Sequence, residues 1–148
     1  MSEQLANKEI TTTSQKKKDS PIQTKSFAFA IRIVNLYKYL SIEKEEEILS
    51  RKILSSGTAI GALVREASSA ESKADFIHKL SIALKEARKA EYWILLLHET
   101  EYIDDKAFYS LRRDVIVIIK LLVSITKTSR QKYQLKSHQS LNIQGKLL

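Results

Sequence analysis

The chain of 148 residues has no cysteine, one proline, three glycines and only 7% aromatic residues. Without cysteine there is no disulfide framework, no thiol nucleophile and no Cys-ligated zinc or iron–sulfur cluster. So few glycines and prolines leave an all-β fold without its turns. The longest apolar runs, such as Tyr92 to Leu97, are five or six residues, far short of the ~20 that a bilayer span requires. Met1 to Ile10 holds no apolar signal segment, so the expected address is the cytoplasm, with no membrane partner.

What is present is positive charge and helical periodicity. The formal net charge is +8, which invites a nucleic-acid reading. Residues 1 to 25 contribute +2, residues 127 to 148 contribute +5 with no acid at all, and the 101 residues between them only +1. A basic tail of this kind raises affinity for phosphate by counterion release, and a solubilising tail has the same composition.

Residues 1 to 22, rich in Thr, Ser, Gln and Lys, read as a mobile arm, and 131 to 148 as a basic, disordered tail. Between them, residues 23 to 130 carry apolar side chains at alternating steps of three and four, which places them on helical stripes. Four helices are expected, at about 23–41, 44–70, 73–99 and 105–128. The first carries two apolar stripes, Phe27, Ile31 and Val34 on one and Phe29, Ile33, Leu36 and Leu40 on the other. Glu45 to Glu47 favour the positive start of the second, Ser72 with Asp75 caps the third, and Asp104 or Asp105 caps the fourth. Short connections favour an all-α, antiparallel up-down-up-down four-helix bundle. A helix apolar on more than one side must be covered on more than one side, and self-association is the simplest cover. Phe27, Phe29, Tyr92 and Trp93 are therefore candidates for oligomer or packing contacts. Gly57 and Gly61, four apart in a helix they weaken, point to close approach of another helix.

Catalytic constellations are missing. His78 follows Asp75 and His98 follows Leu95 at three residues, and His138 lies in the tail, so no Glu-x-x-His pair supports a di-iron site. There is no nucleophile elbow, phosphate-binding glycine loop or His-Glu-x-x-His motif. The expectation is a protein without enzymatic activity, cofactor or metal. Glu66, Glu86 and Glu91 beside Arg65, Lys85, Arg88 and Lys89 describe a solvated face or a charged subunit interface. The candidates for nucleic-acid contact are Arg112, Arg113 and Lys120 in the body and Lys127, Arg130, Lys132 and Lys136 toward the end.

The stretch Leu54-Ser55-Ser56-Gly57-Thr58-Ala59-Ile60-Gly61-Ala62-Leu63-Val64-Arg65-Glu66-Ala67, then Ser72 to Ala87 and Glu91-Tyr92-Trp93, resembles the four-helix bundle proteins named after intervening sequences in bacterial 23S ribosomal RNA genes. The resemblance covers about residues 25 to 130. It implies a homo-oligomeric ring of five subunits, related in fold to the accessory variability determinants of diversity-generating retroelements. Those are basic pentamers that bind nucleic acid and a reverse transcriptase. By the same resemblance, a nucleic-acid enzyme is a possible partner, and a scaffold role is the alternative to direct RNA or DNA binding. Lys52, Ser55, Ala59 and Leu63 stand where the family usually has Gln, Arg, Ser and Asn, and Arg88-Lys89-Ala90 replaces Asn-Glu-Thr. If those polar positions form an interhelical network in the family, this chain exchanges it for apolar packing at Ala59, Leu63 and Ala90.

Overall fold

A computed structural model describes residues 18–146, and these are all-α, with four helices and no strand among them. They are α1 (Pro21–Lys38), α2 (Ile48–Ser68), α3 (Lys73–Glu99) and α4 (Asp105–Lys146), with a π-helical turn, Tyr39–Glu43, closing α1. Each helix packs most closely on its neighbour in sequence, and α1 also meets α4. One core runs through all four, including Phe29 and Ile33 of α1, Ile60 of α2, Ile94 of α3 and Leu122 of α4.

The helix starts follow from side-chain capping. Ser20 and Gln23 form a capping box ahead of Pro21, and proline suits a first turn whose N–H groups have no partner. Pro21 and the buried Ile22 thus belong to the folded body rather than to the arm expected over 1–22; up to residue 17 that arm lies outside the described residues. α2 begins at Ile48, later than expected, because the Glu46 carboxylate accepts the N–H groups of Ile48, Leu49 and Ser50 at 3.1, 2.9 and 2.8 Å. Ser72 accepts from the Asp75 N–H at 3.0 Å. Asp104, not Asp105, caps α4 through Ala107 N–H at 2.8 Å.

Scarce glycine also shapes the ends. α3 closes with Tyr102 N–H donating to Leu97 and Glu101 N–H to His98, a Schellman arrangement whose left-handed position is held by Glu101 at φ 67° rather than by the usual glycine. At the other end of the chain the sequence expectation fails. α4 does not stop near residue 128: one helix of 42 residues reaches Lys146, so residues 131–146 of the expected tail are helical, and the last two residues lie outside the described ones. Gln, Lys, Leu and Arg between 130 and 136 favour helix, and no glycine or proline interrupts α4 before Gly145.

Gly57 and Gly61 sit where α2 meets α1. A Cβ on Gly57 would lie 2.7 and 2.8 Å from Cγ1 and Cγ2 of the fully buried Ile33, and one on Gly61 would lie 3.3 Å from the Ser26 carbonyl oxygen. Alanine gains about 1 kcal/mol over glycine in a helix interior, while overpacking a core costs about 1–3 kcal/mol. Gly57→Ala is therefore expected to lower stability by up to about 2 kcal/mol in chemical denaturation, and Gly61→Ala to be near neutral. A near-neutral effect of both would show that α1 yields at both places.

Of the positions where apolar packing was expected in place of polar residues, Ala90 is fully buried, Leu63 packs on the core and Ala59 is half-buried. Trp93 is half-buried against the core, with Lys52 Nζ of α2 5.6 Å from its ring centroid and the Tyr92 ring edge-on at 5.0 Å.

Candidate functional site

Two surfaces stand out, one apolar and one basic. On α1 the stripe Phe29, Ile33 and Leu36 is buried. The other stripe faces outward: Phe27 is 59% exposed and Ile31 49%, with Val34 half-buried. Phe29, at 1% exposure, belongs to the protomer's own core and not to an outer contact. The turn after α1 adds Ile42 and the start of α2 adds Ile48, both exposed, and α3 adds Tyr92 and Leu95. Isolated exposed apolar residues are ordinary, but a helix with a filled inner stripe and a second apolar outer stripe presents a surface fit for burial.

The positive charge follows one element. α4 carries nine basic residues against Asp105 and Asp114, a net of +7 of the chain's +8. Both acids are engaged: Asp105 lies 2.7 Å from His98 Nε2, and Asp114 accepts from Arg32 Nη1 at 2.6 Å, with Arg32 Nη2 also donating to Ser110 at 2.9 Å. From Val115 onward the helix has no acid at all.

Among the sequence candidates, Arg112, Arg113, Lys120, Lys127, Lys132 and Lys136 are exposed and have no ion pair among the described residues. Arg130 is exposed too, and its Nη2 donates to Ser81 Oγ of α3 at 2.9 Å. They do not form one patch. Successive residues are separated by about 100° around a helix, so Arg112 and Arg113 diverge. Lys106, another exposed base on α4, is missing from the candidates named above. Its signal was its spacing, seven residues before Arg113.

The charged face of α2 and α3 is paired in part. Lys89 meets Glu86 at 3.2 Å and Lys79 meets Glu66 at 3.1 Å. The hydrogen bond and charge of Glu66 hold the Lys79 ammonium above its ordinary value. That contribution is present at neutral pH and is lost as pH rises past the folded-state value; on an exposed pair it is small.

At the α3–α4 turn His98 stacks on Phe108, ring centroids 4.1 Å apart, above an open cavity bordered by Tyr39, Lys44 and Asp104. Among the described residues no group of three or more histidine and carboxylate side chains is placed to hold a metal ion, and no helix is long and apolar enough to cross a membrane.

Residues 18–124 match the family model for the 23S rRNA-intervening sequence protein. A crystal structure of a protein of unknown function from the S23 ribosomal protein family of Bacteroides thetaiotaomicron is 55% identical, covers 72% of this chain and 95% of that one, and superposes with a TM-score of 0.71. No curated protein matches. The match to the family model ends within α4, so Lys106, Arg113 and Lys120 lie inside it and Lys127 and the bases that follow lie beyond it.

Proposed function

Because the chain belongs to the 23S rRNA-intervening sequence protein family, we propose that it is a non-enzymatic, cytoplasmic, self-associating four-helix bundle that binds RNA or DNA weakly through α4. The observation that carries the binding is the concentration of charge: +7 on one helix whose two acids are already engaged. Such a surface releases counterions from a phosphate backbone, an affinity that needs no base contact and falls with salt.

The helices run up-down-up-down in this reading, each antiparallel to the next. Paired contacts support that order. Lys52 meets Trp93 while Glu66 meets Lys79, and Ser81 meets Arg130 while His98 meets Asp105; in each pair of helices one number rises as the other falls. The assembly is a ring of five subunits, as the resemblance implies, and the outward stripe of Phe27 and Ile31 supplies the apolar surface for subunit contact.

A gel-shift assay of the full chain with mixed cellular RNA and with duplex DNA tests the function. Retarded complexes at about 50 mM salt that disappear by about 200 mM are expected. The absence of any complex at the lower salt would contradict the reading. It would favour the second one, an accessory subunit for a nucleic-acid enzyme such as a reverse transcriptase, for which Tyr133, Leu135 and Leu141 offer exposed apolar contacts on the far part of α4.

A further inference from the structure

We infer that the outward face of α4 docks a nucleic-acid duplex along a single line of four residues, Lys106, Arg113, Lys120 and Lys127. This rests on the nucleic-acid reading above and adds to it the contact residues, their geometry and the kind of nucleic acid.

The four are spaced seven apart, which is two helical turns or about 10.5 Å each, so the line is about 31 Å long on a continuous helix. Its direction follows from neighbours whose partners are known. Arg130 donates to Ser81 of α3, and Arg112, 18 residues or five turns earlier, shares its phase and therefore leans toward α3. Asp114 is bound to Arg32 and leans toward α1. Arg113 stands between Arg112 and Asp114, on the side away from the buried Val115, Ile118 and Leu122. Lys106, Lys120 and Lys127 follow it with a drift of about 20° per seven residues. All four are exposed, and none has an ion pair among the described residues. The residues on the stripe between them, Tyr109, Val117 and Ser124, bring no opposing charge.

Four cations held about 10 Å apart on a stiff rod exceed the reach of any small anion and suit a straight polyanion. A DNA duplex carries one charge per about 1.7 Å of axis and completes a turn in about 34 Å, close to the length of the line. Flexible single strands are held by rows of stacking aromatic residues, and the stripe has Tyr109 alone. A lipid surface is also anionic, but a helix lying on one inserts its apolar face, and along the line that face of α4, from Phe108 to Ile125, is committed to the core.

The test uses full-length protein and fluorescence anisotropy with a 24-base-pair DNA duplex, its single strand and phosphatidylserine vesicles as probes. One variant combines Lys106→Gln, Arg113→Gln, Lys120→Gln and Lys127→Gln. A second removes the same charge elsewhere on α4, through Arg112→Gln, Arg130→Gln, Lys132→Gln and Lys136→Gln. Circular dichroism confirms that both remain helical. Both variants are expected to bind the duplex more weakly than the unmodified protein, the first at least about tenfold more weakly than the second and with a log–log salt slope smaller than that of the unmodified protein by about 3–4. Equal losses in the two variants, or a larger loss in the second, would overturn the line while leaving nucleic-acid binding standing. So would tighter binding of the single strand than of the duplex by the unmodified protein. Binding of vesicles with no binding of either nucleic acid would overturn the line and the nucleic-acid reading together.

Discussion

Replacing Phe27 and Ile31 together by glutamate is expected to leave a folded protein that sediments as a single subunit, and the unmodified chain is expected to sediment as the proposed ring of five. Both side chains stand on the outer stripe of α1, 59% and 49% exposed, so the protomer itself tolerates charge there. Burying it between subunits is another matter. An uncompensated carboxylate in an apolar contact costs several kcal/mol, and the double variant places two in each subunit. Sedimentation equilibrium gives the mass and circular dichroism confirms the fold. A variant that kept the mass of the unmodified protein would mean that α1's outer stripe is not the surface by which subunits meet.

Two residues further along the same helix the expected result is the opposite. Phe29 is 1% exposed and lies in the core with Ile33 and Leu36, so Phe29→Ala is expected to lower folding stability by about 3–5 kcal/mol, the transfer of the ring plus the cavity it leaves. For a domain of this size that is a large part of the total, and Tm falls by on the order of 10 °C. Chemical denaturation measures it directly. A loss under about 1 kcal/mol would show that the core collapses around the gap, against the close packing of Ile33 on Gly57.

The contrast between Phe27 and Phe29 also marks where sequence reasoning stops. Both stripes of α1 are apolar at helical spacing, and nothing in the order of residues says which turns inward; that is decided by α2, whose Gly57 admits Ile33. Helix α3 was fully legible, 73 to 99, because Ser72 caps it and apolar residues repeat without interruption. The start of α1 was legible too but needed the Ser20–Gln23 capping box to be weighed above the polar composition around it. The far end of α4 was misjudged because its polarity suggests disorder, whereas its residues are individually good helix formers. The basic residues were visible one by one. Their separation into an α3 side, an α1 side and an outward line depends on Ser81 and Arg32, which lie 49 and 82 residues away from their partners in sequence.

The claim that most needs testing is that α4 holds nucleic acid by charge. The direct measurement is the affinity of the full-length protein for a duplex across a salt series from about 50 to 200 mM, plotted as log affinity against log salt. Four phosphate contacts predict a slope of about −3.6, which is a fall of roughly a hundredfold or more over that range. Binding that stays flat across the series, or no binding at the lowest salt, would contradict the account.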